Sequence, residues 1–382
     1  MQKVLLVTNI PTPYRIPLFN ILHDELRKKG IDFKVIFAAL GYARRQWRVD
    51  MRDCLFPYEV LPSTRLFGSD SKRGNFTYRG LGTVLRREQP RVIVSNGFSI
   101  GTTKLWKRSL VRPTSYVIWS GAILGESSEH WLRRLHRKAL IQRASAFVAY
   151  GSLARRYLLD LGAPPEDVTV GINTVDTGYF SRETERFNHA AGQNGKKRLL
   201  FIGELIPRKG ADRLLPDIQK LARQRQDFVL DIVGSGSEQP KLEQMVQSLG
   251  IKEYVNFVGF KQRHEMPYYM GRANCFVFPT RHDIWGLVLV EAMSAGLPCV
   301  SSLNAGATWD LIQDGKTGCA VDFSDSELVT QKLHWLLDHP EESKVIGQRA
   351  RLFIEQEVTL KKSADGFVAA VEKALNKHCP NA

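Results

Sequence analysis

Asp283 and Glu291 stand eight residues apart in TRHDIWGLVLVEAMSAGLPCVSS (280–302), around a Trp-Gly pair. Gly286 sits where a helix should begin. The amides of about residues 286–289, those of Gly286, Leu287 and Val288 among them, then lack intrahelical partners. Such amides, at the positive end of a helix dipole, suit a diphosphate. Glu291 lies a turn into the helix between Val290, Ala292 and Met293. A carboxylate in so apolar a setting needs donors, and the two hydroxyls of a ribose supply them. Asp283, on the preceding loop, reaches hydroxyls of a group beyond the diphosphate. One carboxylate for the ribose and one for a sugar is the chemistry this spacing suggests.

Weaker signals follow other apolar runs. GELIPRKG (203–210) places Glu204, Arg208, Lys209 and Gly210 between a strand and a helix. Cations and a glycine there suit a phosphate, although for this segment alone a surface turn with a capping glycine is the favoured reading. Gly234 and Gly236 form a lone G-x-G, which lets backbone approach a ligand. Phe260 is placed to stack on a base, or to fill a core.

These residues all fall just after candidate strands. The first half supplies KVLLVTN (3–9), DFKVIFA (32–38), RVIVSNG (91–97), TSYVIWS (114–120) and AFVAYG (146–151). The second supplies RLLFIG (198–203), FVLDIVG (228–234), VNFVGF (255–260), CFVFPT (275–280) and PCVSS (298–302). Amphipathic stretches at 15–30 and 131–144 read as helices. Apolar strands alternating with helices mean a doubly wound parallel α/β sheet, twice over. The polar stretch 181–197 reads as a linker, and 382 residues suit two domains. Open α/β sheets bind ligands beyond the carboxyl ends of their strands, so a cleft between two such domains is the expected site.

The segments GELIPRKG, DIVGSGSE, VNFVGF, DIWGLVLVEAMSAGLPCVSS and WDLIQDGKTG (309–318) together resemble glycosyltransferase family four over residues 198–320. A weaker likeness lies in VAYGSLARRYLLDLG and INTVDTGYF (172–180). The resemblance implies a GT-B fold, two Rossmann-like domains facing a central cleft. It implies an acceptor domain over 1–184, a nucleotide-sugar domain over 197–358, and a final helix near 359–378 packing back onto the first. It implies retaining transfer of a hexose or N-acetylhexosamine from a UDP- or GDP-sugar. By the same resemblance Glu291 binds the ribose, Asp283 the sugar hydroxyls, Lys209 the diphosphate, and the amides of 286–288 a phosphate. Arg208, Gly234, Gly236, Phe260 and Trp285 complete the donor side; Arg15, Ser120 and Gly121 lie on the acceptor or phosphate side. Asp283 stands where the family usually has Glu, Trp285 where it has Phe, and Glu204 where it has Arg, with Arg208 the substitute cation. NIPTPYRIP (9–17), with Arg15, replaces a loop of paired glycines, and Ser120 and Gly121 stand where many members place a His. His130 and His136 fall on or near the next helix.

No D-x-D occurs, so the expectation is a metal-independent enzyme with no cofactor besides its nucleotide-sugar substrate. Five scattered cysteines suit a reducing compartment, and the opening MQKVLLVTN reads as a strand rather than a signal peptide. Residues 1–185 hold 29 Lys+Arg against 16 Asp+Glu, whereas 186–382 hold 25 against 23. The excess comes in clusters at 43–49, 104–112 and 131–138, with Trp47 and Trp106 inside two of them. It implies an anionic partner. The expectation is a cytoplasmic protein, peripheral on the inner face of the cytoplasmic membrane, meeting a saccharide or lipid-linked acceptor of surface polysaccharide or lipopolysaccharide assembly. The alternatives are a GT-B sugar-nucleotide epimerase, a catalytically weak partner subunit, and a nucleic-acid binder. The last lacks any recognisable binding motif, so no nucleic acid is expected.

Overall fold

Each half of the chain is built on a sheet of short, largely apolar strands. The computed structural model describes residues 2–41, 49–65, 76–124, 130–187 and 195–377. Two compact units are present: Met1–Val175 with Leu360–Ala382, and Asp176–Thr359.

The first unit contains β1 (Gln2–Thr8), α1 (Ile16–Lys28), β2 (Ile31–Phe37), β3 (Tyr58–Val60), α2 (Leu81–Glu88) and β4 (Val92–Asn96). It continues through α3 (Ile100–Ser109), β5 (Ser115–Ser120), α4 (Trp131–Gln142), β6 (Ala146–Ala149), α5 (Ser152–Asp160) and β7 (Val168–Val170). The strands pair in parallel in the order β3-β2-β1-β4-β5-β6-β7. Val4–Val7 and Tyr116–Trp119 are buried throughout, as a sheet covered by helices on both faces requires.

The second unit begins with α6 (Thr177–Glu185), β8 (Lys197–Ile202), α7 (Ala211–Gln224), β9 (Phe228–Val233), α8 (Gln239–Ser248), β10 (Val255–Gly259) and α9 (Met266–Arg272). Then come β11 (Cys275–Phe278), α10 (Leu287–Ser294), β12 (Cys299–Ser302), α11 (Gly306–Leu311), β13 (Cys319–Val321), α12 (Ser326–Asp338) and α13 (Pro340–Glu357). Its parallel order is β10-β9-β8-β11-β12-β13. The chain ends in α14 (Leu360–Asn376), which packs on α1 and on strands of the first sheet. Phe367 meets Trp119 edge-on at 4.9 Å between centroids.

Three strands escape the sequence reading: β3, β7 and β13. Each has three residues and lies at a sheet edge, too short to show as an apolar run. The stretch read as linker starts with helix instead. α6 buries Phe180, Ser181 and Thr184 and packs on α9, α10 and α13. Residues 176–184, given by sequence to the first domain, therefore lie in the second unit. Of the stretch 181–197, residues 188–194 lie outside the described residues, as do Trp47 and most of the 43–49 cluster. Among the described residues, no helix is long and apolar enough to cross a membrane.

Strand order reverses beside β1 in the first sheet, which flanks both β2 and β4, and beside β8 in the second, which flanks both β9 and β11. The carboxyl ends of β8 and β11 therefore flank a switch point, where such sheets hold ligands.

Candidate functional site

Lys209 and Asp283 meet at that switch point of the second sheet. Lys209 follows β8 and Asp283 follows β11, and Lys209 Nζ donates to Asp283 Oδ2 at 2.6 Å. Arg208 joins them, its guanidinium 3.2 Å from the same oxygen and 2.9 Å from the His282 carbonyl. The Trp285 amide donates to Asp283 Oδ1 at 3.3 Å. Burial pushes the Asp283 carboxyl up, but Lys209 and Arg208 more than offset it and hold it at about 2. The group is an anion with two cations fixed against it.

The two loops are stapled by their backbones. The Arg281 amide and Thr280 Oγ1 both donate to the Arg208 carbonyl at 2.9 Å, and Arg281 grips Asp212 with two bonds of 2.6 and 2.8 Å. Gly210 has φ +71°, and a Cβ there would lie 2.1 Å from the Pro279 carbonyl oxygen. Only glycine lets the loops touch.

The same logic changes the reading of the G-x-G. A Cβ on Gly234 would fall 1.9 Å from the Gly203 oxygen, and one on Gly236 2.3 Å from the Leu205 oxygen. The close approach these glycines permit is to the neighbouring loop of their own chain. Gly234→Ala, at φ +143°, combines backbone strain with that collision. It should cost more than the roughly 1–3 kcal/mol of ordinary overpacking. A urea midpoint within error of the parent would show that the loops move apart freely.

Gly286 opens α10 at φ +103°, and a Cβ there would strike the Phe278 ring at 2.6 Å. Leu287 and Val288 are half-buried, their amides in the first turn of α10. Trp285 is 2% exposed, and its indole Nε1 is buried with no hydrogen-bond partner among the described residues. Phe260 remains 39% exposed beyond β10.

Glu291 is half-buried on α10, and its carboxylate makes no hydrogen bond or ion pair to any described residue. Burial pushes its carboxyl up to about 7, with Arg263 pulling the other way. Arg263 is one residue that sequence reasoning missed. It lies over the Tyr179 ring at 4.5 Å, with Asp176 3.9 Å away. A cation three residues after a strand-end Phe was the available signal.

The first unit gathers different chemistry at its carboxyl edge. Arg15 is buried, stacks on Trp119 at 4.1 Å and donates to the Tyr150 hydroxyl at 2.9 Å. Among the described residues no carboxylate lies within ion-pair reach of it. Ser120 Oγ is turned to its own loop, accepting from the Ala122 amide at 3.1 Å. Gly121 is roofed by Tyr150, whose ring a Cβ would meet at 2.3 Å. Gly121 is thus a packing necessity, and Tyr150, directly after β6, is the side chain that the strand-end rule should have added. Neither histidine replaces the absent one: His130 caps α4, and His136 pairs with Thr103 at 3.2 Å.

Among the described residues no group of three or more His, Cys, Asp or Glu could hold a metal ion.

Two parallel-sheet units with this strand-end site define the GT-B class of glycosyltransferase folds. The family models agree: the glycosyl transferases group 1 model matches residues 181–353 and the glycosyl transferase 4-like domain model residues 22–173. The chain belongs to the group 1 glycosyl transferases. It is 32% identical over 187 residues to the GDP-mannose-dependent alpha-(1-6)-phosphatidylinositol monomannoside mannosyltransferase of Mycolicibacterium smegmatis, covering 46% of this chain and 49% of that one. It is 28% identical over 185 residues to D-rhamnosyltransferase WbpZ of Pseudomonas aeruginosa, covering 48% and 46%. The chain spans about half the length of the curated relatives it matches. Anabaena HepE, solved with UDP, superposes over 97% of this chain and 100% of its own with a TM-score of 0.78 at 17% identity, a likeness of fold.

Proposed function

We propose that the protein is a retaining hexosyltransferase. It moves a hexose or N-acetylhexosamine from a UDP- or GDP-sugar to a saccharide or lipid-linked acceptor of surface polysaccharide or lipopolysaccharide assembly. The observation that carries this is the pairing of Lys209 and Arg208 with Asp283 at the switch point, with the unpartnered Glu291 on the helix that follows. Lys209 and Arg208, with the first amides of α10, neutralise the leaving nucleoside diphosphate in place of a metal. Such fixed donors stabilise charge without reorganising. Glu291 accepts from the ribose hydroxyls, and Asp283, which orients Lys209, accepts from the sugar. The acceptor hydroxyl attacks from the face the diphosphate leaves, so no protein nucleophile is assigned. The phosphatidylinositol mannoside acceptor named for the mycobacterial relative supports a lipid-linked acceptor here. The basic excess of the first half supports an anionic membrane surface as partner, on the inner face of the cytoplasmic membrane.

The test is a thermal-shift screen of UDP- and GDP-sugars followed by turnover with the stabilising donor, since a bound ligand stabilises by mass action. Turnover without any acceptor would favour an epimerase. Asp283→Asn should spare affinity for bare nucleoside diphosphate while lowering turnover of the sugar donor. Equal loss for both ligands would assign Asp283 to the nucleotide or to the fold.

A further inference from the structure

The outer face of α4 inverts the usual pattern of a surface helix. Trp131, Leu132 and Leu135 are 66%, 52% and 59% exposed, whereas a helix packed on a sheet normally turns polar residues outward. The other exposed residues of 131–138 are Arg133, His136 and Lys138. Burial, with Arg137 beside it, lowers the His136 pKa and so works against its carrying charge. The other two arginines of α4 are engaged with groups of the protein. Arg137 is buried, bonded to the Tyr157 hydroxyl at 2.5 Å with its guanidinium 4.9 Å from the Phe98 ring. Arg134 pairs with Asp160 at 2.8 Å. The 131–138 cluster is therefore two free cations around three exposed apolar side chains, not a four-charge patch.

We infer that this face of α4 inserts into the interfacial layer of an anionic lipid bilayer. The inference rests on the membrane partner proposed above and names the surface that engages it. Charge complementarity selects the occupant. Neither α4 nor the adjacent α3 carries a single Asp or Glu, and α3 adds Lys104, Lys107 and Arg108. A Trp/Leu stripe bordered by Lys and Arg is the signature of a helix lying in the membrane plane. α4 also starts beyond the carboxyl end of β5, because it crosses from β5 to its parallel neighbour β6. Insertion there brings the bilayer to the edge of the sheet where Arg15 lies, the end an acceptor carried on lipid must reach. The exposed Trp, not the half-buried Trp106 favoured by sequence, is the anchor.

Co-sedimentation of the full chain with phosphatidylcholine vesicles, with and without phosphatidylglycerol, tests this. The parent should bind only the anionic vesicles. A Trp131→Ser, Leu132→Ser, Leu135→Ser triple variant should fold normally, since all three side chains are exposed, and lose binding by at least about tenfold. Arg133→Gln with Lys138→Gln should weaken binding and flatten its salt dependence. Quenching by brominated lipid should fall on Trp131→Phe. A triple variant that binds like the parent overturns insertion and leaves the membrane as a purely electrostatic partner. Absence of binding by the parent overturns both. A concentration-dependent dimer that the triple variant abolishes, without lipid binding, would reassign the face to a second copy of this chain.

Discussion

Lys209→Met should lower turnover of the nucleotide-sugar donor by two to three orders of magnitude. The Lys209 ammonium is held 2.6 Å from a buried carboxylate and is only 15% exposed. It is therefore already desolvated and oriented before any donor arrives. Removing one such preorganised donor from a site of developing charge typically raises a barrier by about 2.7–4 kcal/mol. The loss should fall on kcat more than on KM, because the diphosphate gains charge as the glycosidic bond breaks. Stability needs its own control. Losing Lys209 leaves Asp283 buried with Arg208 alone, and breaking one side of a buried pair costs about 3–5 kcal/mol. The Lys209→Met, Asp283→Asn double variant removes both charges and should recover much of that stability while remaining inactive. The pH profile supplies an independent check. The Asp283 pKa is depressed in the folded state, to about 2. Its stabilisation is present above the unfolded carboxyl value near 4 and is lost as pH falls through the folded one. Lys209→Met should blunt that acid-side loss. A variant with parental kcat would take Lys209 out of the leaving-group role.

Residues that act through their own spacing were legible in the sequence. The Asp283–Gly286–Glu291 run places a helix start and two carboxylates by local geometry alone, and the structure adds only which cations meet Asp283. The ten long strands were legible because burial on both faces leaves continuous apolar runs. Residues that depend on packing from a distance were hidden. Nothing near Trp285 tells that it is buried, and nothing in WLRRLHRK separates the buried Arg137 from the exposed Arg133. The lone G-x-G looked like a ligand loop because its real neighbours, the Gly203 and Leu205 carbonyls, lie some thirty residues away. Tyr150 roofing Gly121 is of the same kind.

Glu291→Ala should weaken binding of donor and free nucleoside diphosphate alike, by roughly 1.5–3 kcal/mol for a charge-assisted contact. A ribose contact at Glu291 would be made equally before and during reaction, so the change belongs in KM, with kcat nearly unaltered. Ionisation makes the role separable from packing. Burial lifts the carboxyl to about 7, so in the free protein it is largely protonated below neutrality. A pair of ribose hydroxyls stabilises the charged form, and donor affinity should therefore climb between about pH 6 and pH 8 and level off above. A UDP- or GDP-hexose is the right probe, since its diphosphate diester does not itself titrate in that range. The sign for folding runs the other way. Between the unfolded carboxyl value near 4.5 and the folded one, the native state holds the extra proton, so this residue's effect is to lower stability as pH rises. Glu291→Gln should remove both trends together: flat donor affinity across neutrality, and a smaller fall in unfolding free energy from pH 5 to pH 8. Isothermal titration and urea unfolding at matched pH read the two. Arg263 sharpens the outcome, because it opposes the burial shift. Arg263→Gln should move the affinity midpoint upward, towards a more strongly protonated Glu291. A midpoint unmoved by Arg263→Gln, with affinity still pH-dependent in Glu291→Gln, would place the titrating group elsewhere and remove Glu291 from the ribose.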